Sequence, residues 1–181
     1  YVFAKNIYCD WYIETVKVLL SVLVDKNKIE EIRKCAFYCF RVLLKVSHPF
    51  IPFISDEIYF HRIKNKNYLD LEDWPKKSLL NYNKLSLNRI TFALELITKI
   101  RNIRSSLKIQ TKSILILLVN KKLISKNITP EIEQIINRLA RVKIQFHNAN
   151  INKDYKYSKF FLQSNLFHII YKNEDISEEI E

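Results

Sequence analysis

Not one of the 181 residues is glycine. Glycine supplies left-handed backbone and lets main chain lie against a ligand, so folds built on glycine-rich loops are excluded. A phosphate-binding loop and a dinucleotide-binding fingerprint go with them. Methionine is also absent and Tyr1 stands in mid-pattern, so a segment of a longer protein is expected.

Periodicity reads as antiparallel helices with short connections, which means a bundle. Residues 2–24 predict one helix on which Asn6, Asp10, Glu14, Lys17 and Ser21 form a narrow polar stripe, with Trp11, Phe3 and Ile7 in line on the core side. Residues 28–47 predict a second helix, with Ile32, Cys35, Ala36, Cys39, Val42, Leu43 and Val46 inward and Lys34, Arg41 and Lys45 outward. Pro49 ends it, because a residue before proline avoids helical geometry. Pro52 opens a third helix to about Lys64, and a polar loop with Trp74–Pro75 follows. Residues 84–108 predict a fourth, carrying Ala93, Leu96, Ile97, Ile100, Ile103 and Leu107 on one face.

The period then changes. "SILILLVN", "VKIQFH" and "NLFHIIYK" read as strands, and "TPEIEQIINRLAR" as a helix capped by Thr129 with Pro130 at its first position. "EDISEEIE" reads as the start of a further helix. The fold class is therefore mainly α: an antiparallel helix bundle over 1–112, followed by a small α+β module over 113–181.

Of the net charge of +11, residues 1–112 hold 20 basic and 11 acidic residues, and the remainder hold 10 and 8. The positive field points to a polyanionic partner, although the 22 lysines and the abundant Ile and Asn also suit an AT-rich coding sequence. Three cysteines without framework spacing suit a reducing cytoplasm without disulfides. The longest apolar run, "ILILLV", is far short of the ~18 residues of a membrane span, so no membrane partner is expected.

No catalytic constellation emerges. Asp10 and Glu14 share a helix face, but Glu14 pairs more naturally with Lys17 than with a substrate. Cys35 and Cys39 lie one turn apart, and Cys9, His48 and His61 are available to complete a zinc site. Their apolar neighbours favour core thiols instead, with no metal. The stripe of Lys34, Tyr38, Arg41 and Lys45 suits a solvated face or the track of a nucleic-acid backbone. On the fourth helix the apolar side turns basic at Arg101, Arg104 and Lys108. Two readings stand: arginines buried against carboxylates or backbone, or a surface meeting phosphate or a neighbouring domain.

"YCDWYIETVK", "VLLKVSHPFIPFISDEIYFH", "DWP" and "IRNIRSS" together resemble the C-terminal anticodon-binding region of class I valyl-tRNA synthetases. "HPFIPFISDEIY" resembles the wider subgroup that also charges isoleucine, leucine, methionine and cysteine, and "CDWYIE" points to valine within it. The resemblance implies a module that docks the anticodon arm of a valine tRNA for a catalytic domain of the same parent chain, in the cytoplasm. It implies that Ile13 touches an anticodon base, with Lys34, Arg41, Lys45, Arg101, Arg104 and Lys108 as candidate phosphate contacts. The parent would be an ATP- and Mg-dependent ligase. Its His-x-Gly-His and Lys-Met-Ser-Lys-Ser motifs need glycine and methionine, so this stretch is expected to hold no catalytic residue and no cofactor. By the same resemblance the first helices of the bundle precede Tyr1 and a coiled-coil arm follows "DISEEIE". The alternatives are a helical scaffold whose partner is protein, and the equivalent domain of an isoleucyl or leucyl enzyme.

Overall fold

The structure, a computed structural model, describes residues 2–63, 68–76, 82–120, 127–146, 155–172 and 175–176. The chain forms two compact units, Tyr1–Asn81 and Tyr82–Glu181. As expected, helices come first and a small mixed module ends the chain.

In the first unit Phe3–Ile13 is wound as a π-helix and runs directly into α1, Glu14–Val22. Phe3 and Ile7, expected in the core, are exposed and Trp11 is half-buried. Tyr8 is the buried side chain of this segment, and its ring stacks on Tyr12 with centroids 5.5 Å apart. The polar stripe is as expected: Asn6, Asp10, Lys17 and Ser21 are exposed, and Lys17 Nζ lies 2.6 Å from Glu14 Oε1.

Helix α2 spans Lys26–Ser47, capped by the Asp25 carboxylate, which accepts from the Asn27 N–H at 2.9 Å. Helix α3 spans Pro52–Ile63, and a short 3₁₀ turn covers Leu69–Leu71. Leu44, Tyr59 and Leu69 form a small core with Phe40 and Ile58 against it. This corrects the face expected for α2. The helix buries the Phe40/Leu44 side, while Cys35 and Val46 are exposed and Ile32, Ala36 and Cys39 only half-buried. Apolar residues circle most of this helix, so periodicity alone did not say which arc meets a partner.

The second unit opens with α4, Lys84–Ser106, capped by Asn83, whose side chain accepts from Leu85 and Ser86. Its Phe92, Ala93, Leu96, Ile97 and Ile100 are buried. The helix expected to close the bundle thus packs within the unit that holds the sheet. It ends at Ser106, two residues before the expected end, because Lys108 turns left-handed at φ 51°. Ile109 N–H then bonds Arg104 O at 2.9 Å and Lys108 N–H bonds Ser105 O at 3.1 Å. That is the paired closure usually made with glycine at the left-handed position.

Strand β1 is Leu115–Val119, helix α5 is Pro130–Ala140, and β2 is Val142–Phe146. β1 and β2 are parallel, with α5 as the crossover between them. Thr129 caps α5 as expected, accepting from Ile132 N–H at 3.4 Å. Strand β3, Tyr155–Leu162, and β4, Asn165–Lys172, form an antiparallel hairpin, and the sheet order is β2-β1-β4-β3. β3 was not expected. "YKYSKFFL" alternates imperfectly, and as an edge strand it carries lysines where a buried strand would not. Ile176 bridges to Ile109 where a helix was expected to begin; the rest of "EDISEEIE" past Ile176 lies outside the described residues.

Candidate nucleic-acid interface

The basic residues expected to meet phosphate fall into three environments. Lys34 is the solvated one: its side chain is 74% exposed and its nearest carboxylate, Glu30, is 3.9 Å away. Arg41 and Lys45 converge instead on Glu72 in the loop after α3. Arg41 Nη2 bonds Glu72 Oε2, Lys45 Nζ lies 2.8 Å from the same oxygen, and Tyr59 donates to Oε1 at 2.6 Å. Lys45 also donates to Asp73 O at 3.0 Å. Hydrogen bonds from Lys45, Tyr59 and Arg41 hold the Glu72 carboxyl down at about 2. The same bond to Glu72 raises the Arg41 guanidinium further. Asp56 adds a tie between α3 and this loop, accepting from Leu69 N–H at 3.0 Å. Of the outward stripe predicted on α2, Lys34 and Tyr38 are exposed, while Arg41 and Lys45 pin the "LDLEDW" loop.

In the second unit the arginines on α4 meet main-chain carbonyls. Arg101 Nε and Nη2 both donate to Leu139 O, at 3.2 and 3.0 Å. Arg104 is buried; Nη2 donates to Gln110 O at 2.7 Å and Ser113 O at 2.9 Å, and Nη1 to Arg141 O at 3.3 Å and Ala140 O at 3.5 Å. Of the two readings left open, the geometry matches pairing with backbone, buried at Arg104 and exposed at Arg101. The Leu139, Ala140 and Arg141 carbonyls end α5, where a helix is partially negative and favours a cation, and those of Gln110 and Ser113 belong to the segment between α4 and β1. Burial, and then Arg141 nearby, lower the Arg104 pKa from its ordinary value. Arg141 donates to Thr111 O at 2.7 Å. Lys108 is exposed beyond the helix end, off the face expected for it.

Ile13 is half-buried where π winding gives way to α. Tyr12 donates to Cys35 Sγ at 3.4 Å; burial, and next that bond, hold its phenol above the usual tyrosine range. Burial likewise pushes the Cys39 thiol up. All three cysteines are free, and Cys35 is exposed rather than a core thiol, since the arc it stands on is not the one α2 buries. His48 is not near them. It shares a 2.8 Å hydrogen bond with the buried Ser55 hydroxyl, and its ring gathers with the Asp56 and Asp70 carboxylates within 4.8 Å of one another.

Glu72, Tyr59 and Arg141 went unnoticed in the sequence. A carboxylate in a "DLEDWP" loop reads as solvated until its distant partners are known, and Arg141 follows a helix end that periodicity marks poorly. Among the described residues no helix is long and apolar enough to cross a membrane.

Residues 1–118 match the family model described as the anticodon-binding domain of tRNA ligase. A valine–tRNA ligase of Pelagibacter ubique is 29% identical over 99% of this chain. One from Buchnera aphidicola (Acyrthosiphon pisum) is 30% identical over 75%, and one from Wigglesworthia glossinidia brevipalpis 36% over 58%. The chain spans a fifth or less of the length of these relatives. It belongs to the anticodon-binding domain family of tRNA ligases.

Proposed function

We propose that this chain is the tRNA-binding part of a valine–tRNA ligase and docks the anticodon arm of a valine tRNA. The match of residues 1–118 to anticodon-binding domains carries this reading. The excess positive charge over residues 1–112 supports it, because cations that displace counterions from phosphate supply much of the affinity for RNA. The role is positioning: holding the far end of the tRNA fixes the acceptor end at a separate catalytic domain, which binds ATP and Mg. No residue described here is assigned to catalysis. That catalytic domain is the protein partner, and exposed Phe50, Phe53, Ile54 and Phe60 give the first unit an apolar surface suited to other parts of the parent chain. Functionally, residues 1–112 are the anticodon-binding module and 113–181 its appendage, acting in the cytoplasm.

Base recognition falls to Ile13, by shape and apolar contact with an unstacked anticodon base. Lys34 contacts phosphate; Arg41 and Lys45 hold a loop in the first unit, Arg101 and Arg104 hold a helix end in the second, and Lys108 is exposed past the end of α4. A mobility-shift titration with a valine tRNA transcript and one of altered anticodon, across a salt series, tests the reading. Tighter binding of the valine tRNA, weakening steeply with salt, is expected; no tRNA binding at any salt would leave a protein scaffold.

A further inference from the structure

Side chains alternate between the two faces of a strand, and residues paired across strands share a face. On one face of this sheet Phe160 and Phe167 stack at 5.2 Å, and Phe167 meets Phe92 of α4, so helix covers that side. The opposite face carries Tyr155, Tyr157, Lys159 and Phe161 from β3, paired with Lys172, Ile170, His168 and Leu166 of β4; Ile170 and the neighbouring Leu118 of β1 are buried, so this face is exposed along its β3 edge. Tyr157 is 54% and Phe161 67% exposed. Lys159 Nζ lies 5.3 Å from the Tyr157 ring centre, and Lys172 Nζ 5.8 Å from that of Tyr155. None of the four strands contains an Asp or a Glu, while they hold Lys143, Lys156, Lys159 and Lys172. Exposed aromatics alone fit many partners. Exposed aromatics alternating with lysines, in strands without carboxylates, fit a polyanion with flat apolar groups.

We propose that this face of the sheet is a second RNA-contact surface, binding an unpaired tRNA segment with bases on Tyr157 and Phe161 and phosphates at Lys159 and Lys172. The two rings stand about 13 Å apart along the strand with Lys159 between them, which spaces stacking platforms around a cation. Stacking tolerates any base, so this surface adds affinity without reading sequence. The proposal deepens the tRNA reading and rests on it for the identity of the RNA.

Fluorescence anisotropy of the 181-residue chain with a labelled, unstructured oligoribonucleotide of about 12 nucleotides is the test. Tyr157→Ala and Phe161→Ala should each weaken binding about tenfold without altering the salt slope. Tyr157→Phe should retain affinity, and Lys159→Ala should flatten the slope by about one unit. Circular dichroism on each variant separates lost stacking from lost fold. No binding of the oligonucleotide, or equal binding by the Tyr157→Ala/Phe161→Ala double variant, would overturn the proposal. So would a dimer in sedimentation that the double variant abolishes, since the face would then be a protein contact. A parallel titration with an anticodon stem–loop keeps the two readings apart. Selective hairpin binding without oligonucleotide binding removes only the sheet surface; the reverse removes the anticodon role and keeps the sheet as an RNA surface.

Discussion

Among the described residues four hold positive φ without being glycine: Lys108, Arg141, Gln163 and Ser164, at 51°, 53°, 45° and 63°. Each forces a Cβ against the backbone, where glycine would not. Gln163 and Ser164 make the two-residue turn between β3 and β4, which calls for positive φ at both positions. Ser164→Gly should therefore stabilise the chain by about 0.5–1 kcal/mol, read as a higher melting temperature. Arg104 works the other way. Arg104→Ala removes the donor to four carbonyls and should cost about 2–3 kcal/mol in denaturant unfolding. Arg104→Lys should recover only part, because a point-like ammonium cannot span the guanidinium fork. Unchanged stability in Arg104→Ala would mean those carbonyls are satisfied by water. Arg101 and Arg104 stood out in the sequence as cations on an apolar face, so their need for partners was legible. That the partners are main-chain carbonyls was not, since those at the end of α5 lie 36 to 38 residues away and those of Gln110 and Ser113 are reached only once the chain turns after α4.

Among elements, the contact of α2, α3 and the 68–74 loop turns on Glu72. Its pKa is depressed in the folded chain, so its stabilisation is present above the ordinary carboxylate value of 4.5 and is lost as pH falls toward about 2. Melting temperature should fall over that window in the native chain. Glu72→Gln should lower it at neutral pH, by about 1–3 kcal/mol in unfolding free energy, and flatten the acid limb. An acid limb of the same steepness in the variant would place the titrating group elsewhere. The helix spans of this region were readable to within two residues from periodicity and the prolines Pro49 and Pro52. Facing was less readable, because Arg41 and Lys45 look like solvent residues until a carboxylate from 27 to 31 positions on is brought beside them.

At the scale of the whole molecule the test is tRNA selectivity in a parent chain. Ile13→Ala should weaken discrimination between a valine tRNA and one of altered anticodon by roughly 1–2 kcal/mol, the scale of one lost apolar contact. Its salt dependence should not change, because no phosphate contact is lost. Lys34→Ala should instead weaken both tRNAs alike and reduce the salt slope by about one. Equal losses on both tRNAs for Ile13→Ala would leave Ile13 a packing residue at the π-to-α junction.

Sequence by itself determined the helical start, the mixed end, the cap at Thr129, and the exclusion of glycine-rich nucleotide loops. These follow from local chemistry: period, capping oxygens, proline geometry and a missing residue type act within a few positions of the chain. Only the tertiary structure decided which arc of α2 is buried, that α4 packs with the sheet unit, and that Phe3–Ile13 winds as a π-helix. It also brought Arg41 and Lys45 to Glu72, and Tyr157 and Phe161 to the same face of the sheet at its exposed β3 edge. These depend on partners far along the chain, and an amphipathic pattern states how much surface must be covered without naming what covers it.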